Sequence, residues 1–375
     1  MGNDRRTLAG VSCGGAGAGV HLPLTVLSIG FPLAQVSPRT AGGAEQVLFT
    51  LDRGLVCHGC RSLVLAPTGS RCHGLLIPAQ VPAGVLDERA KHEARRSFKR
   101  TLEHTLARFS VDVVHMHGLD FDCYLPAEED VPVVVSLHLP LSWYSPQALK
   151  PLRANTALVC VSRSQRASAP PDARISAVIP NGVDLENFPP GVRKGNYAVV
   201  IGRICPEKGT HLAIDAAERA GIDVVIAGTA FDYPEHQAYF ETMIRPRLGA
   251  KVKFIGAVGG KAKAQLLAGA RCLLVPSHAP ETSSLVAMEA MASGTPVVAW
   301  KAGALAEIVT DRRTGFVVSS VEEMATAIRH VQIISQETCR REAQRRFDSE
   351  QMVTDYMNFY RKMMREPVPQ ELQAA

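Results

Sequence analysis

The stretch Tyr197-Ala-Val-Val-Ile-Gly-Arg-Ile-Cys-Pro-Glu-Lys-Gly209 runs from an apolar segment straight into a charged turn closed by glycine. Ala198–Ile201 is the short, β-branched run that a buried parallel strand requires. Residues Gly209–Ala220 then carry a helical period. Strand, tight loop and helix in that order are half of a βαβ unit, whose loop lies at the carboxyl edge of the sheet, where such sheets bind ligands. Arg203 and Lys208, five residues apart in that loop, are placed to converge on a diphosphate. Arg203 offers a planar fork and Lys208 a point charge. The plain alternative is a solvated basic loop.

The alternation extends in both directions. Strands are predicted at Leu24–Ile29, Arg61–Ala66, Val111–His115, Val131–Leu137, Leu158–Val161 and Ser176–Ile179 in the first half. In the second half they fall at Ala198–Ile201, Asp223–Ala227, Lys253–Ile255, Cys272–Val275 and Pro296–Ala299. Helices are predicted between them, notably Gly43–Leu55, Leu86–Phe109, Lys261–Ala268 and Ser284–Ala292. This predicts an α/β chain of two doubly wound, Rossmann-like domains facing across a cleft. A length of 375 residues suits two domains better than one. The expected division is a flexible leader at 1–22, domains at 23–188 and 189–335, and a helical segment from 336 to 375 that packs back across both.

The second charged pattern is Glu281, seven intervening residues, then Glu289, within Pro276–Pro296. A strand ends at Pro276, Glu281 lies in the loop, and a helix opens near Ser283 or Ser284. The free N–H groups of that helix start form an anion site. Two carboxylates flanking it are placed to hold hydroxyls at both ends of a sugar nucleotide. Read alone, they are also ordinary charges of a helix start.

Together the two patterns resemble glycosyltransferase family 4. Gly42-Gly43-Ala44-Glu45, Val111–Gly118, Val133–His138, Pro180–Asp184, Gly303–Glu307 and Thr314-Gly315-Phe316 extend the resemblance over residues 24 to 360. It implies the GT-B architecture and retaining transfer from a nucleoside diphosphate sugar, a UDP-sugar favoured. The acceptor would be the hydroxyl of a glycan, a lipid-linked sugar or a small molecule. By the same resemblance Arg203 and Lys208 hold the leaving diphosphate with backbone N–H groups at Ser284, Leu285, Gly42 and Gly43. Glu289 takes the ribose diol, Glu281 the hydroxyls of the donor sugar, and His138 a place near its reacting carbon. Two departures stand out. Thr282-Ser283-Ser284 replaces the family's Pro-Phe-Gly, and Cys57-His58-Gly59-Cys60 replaces its Gly-His. A sugar-nucleotide epimerase or hydrolase on the same frame is the competing reading. An NAD-dependent oxidoreductase needs Gly-x-Gly-x-x-Gly between a strand and a helix, whereas Gly14–Gly19 precedes the first strand.

Composition narrows the rest. A net charge of +5 with 46% hydrophobic residues suits an enzyme handling phosphates and does not call for nucleic acid. No apolar run approaches the ~20 residues of a membrane-spanning helix. Nine cysteines, an odd number, argue against a disulfide framework and for a reducing, cytoplasmic setting. Cys57, Cys60, Cys72 and His73 suggest a zinc cluster or, more plainly, a turn that carries thiols. Arg5-Arg6 has the look of a twin-arginine signal, but five glycines between Gly10 and Gly19 make a poor apolar segment. The basic helix 86–109, with Arg89, Lys91, Arg95, Arg96, Lys99 and Arg100, suggests peripheral contact with the inner face of a membrane; the alternative is a solvated outer face. Asp120-Phe121-Asp122 has the form of a metal pair, yet Arg203, Lys208 and a helix start already supply the positive charge a diphosphate needs. No metal and no other cofactor is expected.

Overall fold

The computed structural model describes residues 23–38, 40, 42–82, 87–189 and 193–365. The readings of Arg5-Arg6, of Gly14–Gly19 and of a leader at 1–22 lie outside them, as do Leu86 and residues 366–375. The first sheet contains β1 (Thr25–Ile29), β2 (Arg61–Pro67), β3 (Leu75–Ala79), β4 (Val113–Met116), β5 (Val133–Leu137), β6 (Thr156–Cys160) and β7 (Ile175–Val178). The second contains β8 (Tyr197–Arg203), β9 (Asp223–Thr229), β10 (Val252–Phe254), β11 (Cys272–Val275), β12 (Val297–Trp300) and β13 (Gly315–Val318). The orders are β3-β2-β1-β4-β5-β6-β7 and β10-β9-β8-β11-β12-β13, parallel at every pairing.

In each sheet the chain winds outward from one strand, returns, and continues on the other side. The reversal falls between β1 and β4 in the first sheet and between β8 and β11 in the second. A crevice opens at the carboxyl ends of strands whose connections diverge in this way. Gly42, Gly43, His138, Lys208, Glu281, Ser284, Leu285 and Glu289 follow β1, β5, β8 or β11 in the chain, and Arg203 ends β8, at or beside these two points. The central strands are buried throughout, which is why they read as continuous apolar runs.

The helices are α1 (Gly43–Cys57), α2 (Glu88–Arg108), α3 (Arg163–Ala167), α4 (Thr210–Ala220), α5 (Pro234–Tyr239), α6 (Gly260–Gly269), α7 (Leu285–Ala292), α8 (Leu305–Ile308), α9 (Val321–His330), α10 (Gln336–Arg346) and α11 (Ser349–Arg365). Several of the described elements escaped the sequence reading, among them β3, β13, α5, α8 and α9. Strand β3 is an edge strand interrupted by Pro78, which an edge tolerates because one side of it needs no ladder donor. Strand β13 is only four residues long and α5 only six, too short for a periodic signal, whereas α9 buries Met324, Ala325, Ala327 and Ile328 at helical spacing and could have been found.

The last segment forms two helices, broken at Phe347-Asp348. Cys339, Ala343 and Phe347 pack into the second-half core, where α10 lies against α7. Met352, Val353, Tyr356, Met357 and Tyr360 pack into the first-half core against α1. At the break, Val183 N–H donates to the Phe347 carbonyl (2.8 Å) and Ser349 N–H to the Val183 carbonyl (3.1 Å). The chain thus returns to the first half beside the segment by which it left. On α2 the apolar stripe Ala94, Phe98 and Leu102 is buried, and Arg95 turns inward to Asp120. The helix therefore packs its apolar face into the first-half core. Among the described residues no helix is long and apolar enough to cross a membrane.

Candidate active site

Strand β8 delivers Arg203 at its last position, and the turn Pro206–Lys208 follows. Gly209 ends the turn with φ +61, and a Cβ there would stand 2.4 Å from the Pro276 carbonyl at the end of β11. Only glycine lets the loop close so tightly on the neighbouring strand. That closure sets Lys208 beside the loop after β11, and its Nζ lies 2.5 Å from Glu281 Oε1. The Arg203 guanidinium takes no hydrogen-bond or ion-pair partner among the described residues. One loop therefore carries one engaged cation and one free cation.

Glu281 is pinned from behind. Its carbonyl accepts from Ala304 N–H at 2.7 Å, and a Cβ on Gly303 (φ +56) would come within 2.3 Å of that oxygen. Ser284 is the N-cap of α7, so the helix opens at Leu285. As first-turn amides, the N–H groups of Leu285 and Val286 lack an acceptor four residues back and remain available to an anion. The serine in place of glycine is accommodated with φ −133, so the helix start forms despite the departure from the family pattern. Glu289, one turn further, is buried, and its Oε1 meets Lys263 Nζ at 2.5 Å. Burial holds its carboxyl above the usual range even with that ammonium beside it.

The first half supplies the opposite wall. Gly42 caps α1, and the Glu45 carboxylate folds back over it; a Cβ on Gly42 would lie 1.8 Å from Glu45 Oε2. Burial raises the Glu45 pKa. A Cβ on Gly43 would lie 3.9 Å from Leu285 Cδ1, so the glycine loop faces the start of α7 across the cleft. His138, just past β5, accepts at its carbonyl from the Thr282 hydroxyl (2.7 Å), which brings it next to the loop that carries Glu281. Its ring stacks on His117, with Nε2 2.9 Å from His117 Nδ1. Burial holds the His138 imidazole down at about 4, and burial pushes His117 and His115 well down as well. The rings are neutral at pH 7. Behind them His115 bonds Tyr360 (2.7 Å) and Ser136 (2.8 Å), and Ser136 bonds Tyr356 (2.6 Å). Helix α11 thereby buttresses the histidine ladder. Beside Glu281 the cleft narrows to a 50 Å³ pocket lined by Pro140, Gln165, Thr282 and Gly303, among others. That is room for a water or two, not a sugar ring.

The structure brings Gly43 to Leu285, His138 to Thr282 and Lys208 to Glu281, with Gly42 and Ser284 adjoining; Arg203 ends the strand before Lys208, and Glu289 lies in α7 paired with Lys263. Asp120 and Asp122 do not join them as a metal pair. Asp120 is bound by Arg95 (2.7 Å) and Tyr124, and Asp122 accepts from Ser145 at 2.9 Å. Cys57, Cys60 and Cys72 are free thiols, and among the described residues they form no group of ligand atoms close enough for a metal. Cys72 instead donates to the Gly74 carbonyl. Sequence reasoning named Thr282 and Glu45 without giving either a role, and missed Lys263. Only Glu45 carried a local signal, as an acid in the first turn of α1.

Residues 185–349 match the family Glycosyl transferases group 1, and residues 41–187 match Glycosyltransferase Family 4. The chain belongs to glycosyltransferase family 4. A curated relative, D-inositol 3-phosphate glycosyltransferase of Mycobacteroides abscessus, is 36% identical over 172 residues, 42% of this chain and 38% of the relative. The counterpart from Mycobacterium tuberculosis is 35% identical over 175 residues and is matched over 36% of its length. The match thus spans well under half of the curated relatives. Among solved structures, AviGT4, a glycosyltransferase involved in avilamycin A biosynthesis, superposes with a TM-score of 0.70 at 27% identity, covering 94% of this chain and 99% of that one. Anabaena HepE in complex with UDP and glucose gives 0.71 at 20% identity, covering 90% and 100%. The fold is GT-B.

Proposed function

We propose that this family member transfers a sugar from a nucleoside diphosphate sugar, a UDP-sugar, to an acceptor hydroxyl, with retention of configuration and without a divalent metal on the diphosphate. One observation carries the reading. Lys208 contacts Glu281, and Glu281's neighbour Thr282 contacts His138. A cation for the leaving group, a carboxylate for sugar hydroxyls and a group from the facing domain thus meet at one point of the cleft. The anomeric carbon–oxygen bond breaks toward the diphosphate, whose growing charge is met by Arg203, Lys208 and the α7 amides. The acceptor oxygen forms the new bond on the same face, and its proton passes to the departing phosphate oxygen. No protein base is needed. Glu281 orients the donor sugar, Glu289 the ribose, and neutral His138 donates or accepts a hydrogen bond without adding charge beside the reacting carbon. The UDP assignment draws on HepE, solved with UDP and with UDP-glucose. An inositol phosphate heads the acceptor panel because the curated relatives carry that name.

The test is a panel of UDP-, GDP-, ADP- and TDP-sugars with and without acceptors, the product followed by NMR for anomeric configuration. An α-linked product from an α-linked donor is expected. An inverted product removes the retaining mechanism. Equal donor consumption with and without acceptor shows a hydrolase or epimerase instead.

A further inference from the structure

The loop after β8 holds a second cluster, apart from the phosphate-facing cations. Cys205, Glu207 and His236 each bring one ligand atom to within 4.8 Å of the others. Cys205 is fully buried and His236 is 5% exposed, while Glu207 reaches solvent. His236 Nδ1 is sealed from water and has no hydrogen-bond partner among the described residues. A buried imidazole nitrogen left without a partner carries a desolvation cost that a ligand would relieve.

We propose that Cys205, Glu207 and His236 bind one zinc ion. Thiolate with imidazole selects a borderline-soft cation; Mg²⁺ and Ca²⁺ take oxygen ligands. Three protein ligands leave the fourth tetrahedral position to water, reached from the side where Glu207 is exposed. Zinc bonds of about 2.0–2.3 Å set ligand atoms roughly 3.3–3.8 Å apart, so from separations within 4.8 Å the group has to draw in by at most ~1.5 Å. Glu207, on a short exposed turn, is placed to make that movement. Binding forms the zinc–sulfur bond and releases the thiol proton to solvent, while the imidazole and carboxylate each donate a lone pair. The ion would tie the loop between Arg203 and Lys208 to α5, which carries His236. It would act as a fastener of the donor loop and leave the diphosphate to the cations.

The test uses the full-length protein stripped by a chelator and titrated with Co²⁺, with Zn²⁺ added in competition. No sugar nucleotide is present, so the outcome does not depend on the transfer reaction. One equivalent of Co²⁺ should bind with a thiolate-to-cobalt band in the near ultraviolet, which Zn²⁺ abolishes. Cys205→Ser should remove the band, and His236→Gln should weaken binding at least ~10-fold. A variant with Cys57, Cys60 and Cys72 all changed to Ser should keep the band. No binding by the wild type, a band that survives Cys205→Ser, or one lost in the triple variant overturns the proposal. Should Cys205→Ser fail to fold by circular dichroism, His236→Gln decides alone, and unchanged affinity there refutes the site.

Discussion

Changing Lys208 to Ala removes both a partner of Glu281 and a cation for the leaving diphosphate, and the two losses differ in size and in readout. The ion pair is close, 2.5 Å, with side chains 30% and 11% exposed. It lies between solvent-exposed pairs, worth up to about 1 kcal/mol, and buried pairs, whose breaking costs about 3–5 kcal/mol. About 1–2 kcal/mol of stability should therefore go. A protein with a stability of about 5–15 kcal/mol stays roughly 99% folded or better after that loss. Unfolding then explains almost none of any fall in turnover. A group aimed at charge that develops in the transition state is worth about 100- to 1,000-fold in kcat. The expected result is a Tm lowered by a few degrees and a kcat at saturating donor lowered at least ~100-fold. Thermal unfolding and steady-state kinetics on the same preparation separate the two. A kcat within threefold of wild type, or a loss confined to KM, refutes the placement of Lys208 on the leaving group.

Arg203→Ala should lower kcat comparably but leave Tm nearly unchanged, because its guanidinium has no protein partner to lose among the described residues; a large Tm drop contradicts this. Glu289→Ala should weaken binding of the free nucleoside diphosphate, whereas Glu281→Ala should spare it and impair the sugar donor; calorimetry showing equal losses with both ligands sinks the split. Stability should fall steeply as pH drops from about 6.5 toward 4. His138 is held at about 4, with His115 and His117 also pushed down, so the unfolded chain binds protons first; their contribution is complete above about 6.5 and drains below it. Urea midpoints at several pH values test this, and a flat profile across that window counts against neutral, buried rings. Asp122→Asn should leave transfer within about twofold, since its carboxylate serves Ser145; abolition of activity restores a metal role for Asp120-Phe121-Asp122.

Much of this molecule is legible in short stretches. Residues 197–209 alone specify a strand, a glycine-closed loop and a helix, and Glu281 with Glu289 marks the second loop, because backbone preference and apolar period are local properties. What those patterns leave open is the identity of the partner. An apolar stripe on a helix says that a face is buried, not against which core; that Phe347 packs into the second half and Tyr356 into the first is settled only by packing. Pairings across long separations have no local signature. Lys208 meets Glu281 over 73 residues, His115 meets Tyr360 over 245, and Lys263 neutralises Glu289 from another helix. Cys205, Glu207 and His236 read as unrelated until β8 and α5 come together. The sequence by itself determined which backbone units form and where their carboxyl edges lie. Only the tertiary structure decided which charges stand free and which are paired, because packing two sheets and two terminal helices sets those distances.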